Sequence, residues 1–169
     1  MKKIIFVVLL ITLAYFAYQR FFGNSDANMG SYNENQFLNE SKTLNQDFKN
    51  NMQDPEVQLS VLDRCSVFSL LFQFPPKNLP QAKQFALQEM AYVDLTKATL
   101  DLINSSFKDK DATSAAEMKN IDRITSQYNA YLSTNYLNQK GKDISQDSLI
   151  QADYEMCSTL MKSIPKDSK

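Results

Sequence analysis

The chain has 169 residues, with 18 basic against 19 acidic side chains, three Gly, and neither His nor Trp. Near-neutral charge without a basic block argues against electrostatic capture of nucleic acid. The missing His removes Ser-His-Asp triads, Cys-His pairs and histidine metal sites, and the scarcity of Gly disfavours phosphate-cradling loops and tight hairpins.

Residues 4–22 read IIFVVLLITLAYFAYQRFF, behind Lys2 and Lys3. As a helix this run is about 28 Å long, close to a hydrocarbon core of about 30 Å. A helix also satisfies all its own backbone groups in lipid. Residues 1–23 are therefore predicted to be a transmembrane signal anchor, with the lipid bilayer as partner of residues 4–22. Lys2 and Lys3 hold the cytoplasmic side. Arg20 snorkels at the far interface, where Phe21 and Phe22 join an aromatic belt. The competing reading is a cleaved signal peptide, with small residues at Ser25 and Ala27 for a peptidase. Arg20 and the length of the run favour retention. No cysteine lies near the segment, so a bacterial lipoprotein is excluded.

Residues 24–33 form a flexible polar linker without apolar periodicity. Residues 34–169 are expected to be one periplasmic helical domain, large enough for a proper core. Of the basic side chains only Lys2, Lys3 and Arg20 belong to the anchor, so the exported part is mildly acidic.

A first helix is predicted over about 33–52, with Phe37, Leu38, Leu44, Phe48 and Met52 as a narrow stripe. Asp54-Pro55 marks the next start, an N-cap acid followed by proline at the first helical position. That helix runs to about Gln73, is apolar nearly all round, and stops at Pro75-Pro76. A third helix is expected over about 81–107, either long or kinked near 94–96. After a charged connection at 108–113, Ser114 and Glu117 read as a capping box. The fourth helix then runs to about Asn138, with Met118, Ile121, Ile124, Tyr128, Tyr131, Leu132 and Tyr136 facing inward or nearly so. Gly141 supplies a left-handed stop. A fifth helix begins near 145–148 and ends before Pro165, striped by Leu149, Ile150, Met156, Cys157, Leu160 and Met161. The fold class is thus all-α: an N-terminal transmembrane helix, then an antiparallel bundle of four to five helices.

Cys65 and Cys157 are the two cysteines, both beyond the anchor. In an oxidising compartment such a pair predicts one disulfide, pinning the second helix to the last. The alternative is two buried free thiols.

Chemistry is thin. Ser163 and Lys166 match an S-x-x-K pattern whose companion elements are absent. Asp109, Asp111 and Thr113 resemble the start of a calcium loop, but Ser114 and Asn120 stand where Gly and a bidentate Glu are needed. Glu89, Asp94 and Asp101 are candidate acids by position, though helix acids are usually a solvated face. Tyr128, Tyr131 and Tyr136 could stack a ligand or form core. No catalytic residue, metal, cofactor or small-molecule substrate is expected. Phe68, Leu71, Phe72 and Phe74 are read in two ways: as the centre of the bundle, or as anchors of a hydrophobic patch for a partner helix. The expected role is a non-enzymatic adaptor or scaffold of the bacterial inner membrane, N-terminus cytoplasmic and C-terminal domain periplasmic. Other envelope proteins would be its partners, in cell division, wall synthesis or secretion. The alternative is a cleaved, soluble periplasmic or secreted binder, such as an inhibitor or immunity protein.

Overall fold

The computed structural model describes residues 32–75, 79–137 and 143–164. The predicted span at 4–22, with Lys2, Lys3, Arg20, Phe21 and Phe22, lies outside them, as do Ser25–Ala27, Gly141 and Lys166. Among the described residues every element is helical. None of those helices is long and apolar enough to cross a membrane.

Asn33 opens the first helix, α1 (Glu34–Asn50). Its side-chain oxygen accepts the Gln36 amide at 3.1 Å, satisfying one orphan donor of the first turn. Only Phe37 and Ser41 are buried on α1. The stripe predicted there therefore anchors at Phe37 alone.

Asp54 caps α2 (Pro55–Gln73) by accepting the Glu56 amide at 2.8 Å, where the sequence placed the start. From Val61 to Phe72 nearly every side chain is buried, because α2 packs against all four other helices. The partner patch read at Phe68, Leu71, Phe72 and Phe74 is corrected by this position. The first three are core residues, and only Phe74 reaches solvent, 56 % exposed. Phe68 stacks on Phe72 with centroids 4.3 Å apart, and Phe72 meets Phe85 edge-on at 5.9 Å.

The single helix predicted over 81–107 is two elements. A 3-10 helix at Pro80–Phe85 is followed by α3 (Ala91–Ser106). Leu79, Ala82 and Phe85 are buried and lie three apart, the period of a 3-10 turn. Ala86 is extended and Met90 left-handed, with φ 70°, which turns the chain before α3 begins. The break thus falls before the predicted kink.

Asp109 caps α4 (Lys110–Leu132), taking the Ala112 amide at 2.9 Å. Ser114 is therefore already inside the helix, and the expected capping box does not form. The turns predicted to bury Met118 and Ile121 stay at the rim: Met118 is exposed and burial starts at Ile124. A π-helical turn, Ser133–Leu137, extends α4 and carries Tyr136 into the core. After a short 3-10 turn at Ile144–Gln146, Asp147 caps α5 (Ser148–Ser163) through the Ile150 amide at 2.9 Å.

Asn135 donates to Glu34 at 3.0 Å, and Arg123 donates to Glu40. As one number rises the other falls, so α1 and α4 run antiparallel. Cys65 on α2 and Cys157 on α5 are at disulfide distance, 2.06 Å between sulfurs.

Candidate functional site

Three buried acids organise the interior, and all three were missed as site residues by sequence reasoning. Asp153 lies on the inward stripe of α5, between Ile150 and Met156. Arg64 reaches it across the core from α2, donating from Nε at 3.1 Å and from Nη2 at 2.8 Å. Ser41 Oγ donates to the same carboxylate at 2.8 Å and Asn45 Nδ2 at 3.2 Å, both from α1. The Tyr128 hydroxyl donates from α4. One carboxylate thus joins four helices. The Arg64 guanidinium carbon lies 4.8 Å from the Phe37 ring centre and 5.0 Å from that of Tyr128, in cation–π range. Burial alone disfavours the Arg64 charge, but the Tyr128 oxygen and the Asp153 carboxylate beside it raise its pKa above the usual arginine value. Burial also pushes the Tyr128 hydroxyl well up; Arg64 opposes this and Asp153 adds to it.

Asp147 does two jobs. One oxygen caps α5, and the other accepts the Tyr131 hydroxyl at 2.6 Å and the Tyr136 hydroxyl. Burial first, then this carboxylate, raises both tyrosine pKa values. The three tyrosines considered as a stacking set are therefore core residues whose hydroxyls are held by acids.

Asp63 is the third. Its Oδ2 accepts from Asn120 Nδ2 at 2.7 Å, while the buried Oδ1 has no partner among the described residues. Burial raises its pKa to about 7; the Asn120 hydrogen bond opposes this, the neighbouring Glu117 adds to it, and Arg123 opposes it. Asn120 in turn accepts from Arg123 Nη2 at 2.8 Å, and Arg123 Nη1 reaches Glu40 and Gln127. This chain of bonds ties α2 to α4 and α1.

The sign of the Asp63 effect on stability follows from linkage. The folded pKa lies above the ordinary aspartate value, so the fold holds a proton that the unfolded chain has already released. Stability from this group is greatest below about pH 4 and falls as pH rises to about 7. At 1.36 kcal/mol per unit, the loss between pH 5 and pH 8 is roughly 2–3 kcal/mol. Glu117 is also raised by burial, which adds in the same direction. At Glu40 burial raises the pKa, but hydrogen bonds from Arg123, Gln36 and Gln127 outweigh it, so the net shift is downward and outside this window. Denaturant midpoints measured at both pH values should show the loss, and Asp63→Asn should flatten the profile.

A groove of about 680 Å³ lies over this chain, walled by α1, α2 and α4. Its lining is mostly amide and hydroxyl side chains, with Arg64 and Arg123 among them.

The other sequence candidates are not brought together. Glu89 and Asp101 are exposed, and Asp94 is half-buried and takes a long bond of 3.4 Å from Gln88. Residues 110–120 are continuous helix, not a calcium loop. Ser163 Oγ donates to the Leu160 carbonyl at 2.7 Å. The signal that could have found the true polar core is the pair Asp63-Arg64 in the middle of an apolar helix, and Asp153 on an apolar stripe. Charges are almost never fully buried unless paired. Comparison with protein-family models, with curated proteins and with solved structures found no match, so the role has to be argued from these residues alone.

Proposed function

We propose that the chain is a non-enzymatic, single-pass protein of the bacterial inner membrane, whose periplasmic bundle of antiparallel helices works as an adaptor. It serves an envelope machine of cell division, wall synthesis or secretion. The observation that carries the reading is the buried Cys65–Cys157 pair at bonding distance, since disulfides persist in oxidising compartments and are rare in the cytosol. It supports export of the domain behind the apolar run at 4–22.

Docking falls to α3 rather than to α2. Tyr92, Val93 and Leu100 project outward from α3, Leu100 52 % exposed. They share an arc of about 100° at 100° per residue, one helix wide. The exposed Lys97 and Asp101 border them on one side. The partner that fits is an amphipathic helix with an apolar stripe. The anchor raises the local concentration of this face beside other membrane proteins.

A deletion strain carrying only residues 1–33 should remain defective, whereas the full chain restores function. Leu100→Asp with Val93→Asp should abolish rescue while leaving the helical signal unchanged. Full rescue by the tether alone sinks the adaptor reading. Small residues at Ser25 and Ala27 favour a second reading, a cleaved soluble binder; amino-terminal sequencing of the mature protein separates the two.

A further inference from the structure

We propose that the groove between α1, α2 and α4 holds an extended polypeptide segment by its backbone, with the Arg64 guanidinium anchoring one peptide carbonyl. This site is separate from the α3 face and does not depend on it.

Arg64 is only 2 % exposed, yet it lines the groove. Its Nε and Nη2 are committed to Asp153. Nη1 takes no part in the contact with Asp153, so this edge is the one left for the groove. A buried donor held in place by a carboxylate and two rings loses little freedom when it binds. Its charge is already balanced by Asp153, as that of Arg123 is by Glu40. The site therefore suits a neutral acceptor better than an anion.

The opposite wall sets the spacing. Asn35, Asn39 and Thr43 follow one another at every fourth residue of α1 and all line the groove. Their side chains make no hydrogen bond among the described residues. Four residues of helix rise about 6 Å. Two residues of an extended chain advance about 6.6 Å. Every second peptide group of a bound strand thus meets a free amide or hydroxyl on α1. Each side-chain amide offers both a donor and an acceptor, which matches the paired N–H and C=O of a peptide. Asp47 continues the row, and the row from Asn35 to Asp47 spans about 18 Å, room for five or six extended residues. No aromatic side chain lines this groove to stack a sugar or a base.

The test uses the full chain, nitrogen-15 labelled, in detergent micelles. The probe is an acetylated, amidated hexapeptide of alternating threonine and serine. Expected are saturable shifts of the Asn35 and Asn39 side-chain amides and of the Arg64 guanidinium. Asn35→Ala with Asn39→Ala removes two exposed, unbonded side chains, so the fold should hold, and affinity should fall about tenfold. A version of the peptide with alternate amides replaced by esters should also bind more weakly. The proposal is overturned if no signal saturates at millimolar peptide, if chitotriose shifts these signals and the peptide does not, or if the double variant binds as tightly as the parent.

Discussion

Asp153→Asn should lower the unfolding free energy by about 3–5 kcal/mol, the range for breaking a buried ion pair on one side. The substitution keeps the shape but leaves the Arg64 charge buried among Phe37 and Tyr128 without its counterion. Four side chains from α1, α2 and α4 donate five hydrogen bonds to this carboxylate, so the loss is shared by most of the bundle. At a few degrees per kcal/mol for a domain of this size, the melting temperature should drop by roughly 10–20 °C. Arg64→Met combined with Asp153→Leu should recover only part of the loss: removing both ions removes their desolvation cost, but Ser41, Asn45 and Tyr128 lose their acceptor. Chemical denaturation of Arg64→Met, Asp153→Leu and the double variant gives the coupling directly. A cost below about 1 kcal/mol for Asp153→Asn would show that the pair is not closed in solution.

Loss of the Cys65–Cys157 link should cost about 4–5 kcal/mol. The bridged residues are 92 apart in sequence, and a loop of that length loses this much closure entropy in the chain-entropy model. The effect acts on the unfolded chain, so the folded helices should keep their spectra. Cys65→Ala with Cys157→Ala is the cleaner variant, because serine would place hydroxyls where both sulfurs are fully buried. Non-reducing mass analysis of the purified protein should find no free thiol. The bridge and the Arg64–Asp153 pair both join α2 to α5 within about one turn.

Much of the framework was readable from short-range signals. Asp54-Pro55 starts α2, and Pro75 follows its end, because capping and proline chemistry act over two or three residues. The same local logic misplaced the start of α4, since Asp109 competes with Ser114 and comes first in the chain. The break at 86–90 was hidden because an apolar run does not say whether its period is 3.0 or 3.6. The burial of Leu79, Ala82 and Phe85 against α2 and α5 decided it. Met118 and Phe74 were legible as apolar but not as exposed, because exposure depends on where neighbouring helices end.

The sequence by itself determined an all-helical body, the cap of α2, and which two cysteines could pair, since only one pairing exists. Each of these follows from interactions between near neighbours or from simple counting. Only the tertiary structure decided that Asp153 gathers Arg64, Ser41, Asn45 and Tyr128, that Asp63 is buried with one oxygen unpartnered, and that Phe68 and Phe72 are core. Those facts depend on contacts between residues 25 to 112 positions apart. Helical periodicity identifies the face a residue occupies, but not which distant face it will meet.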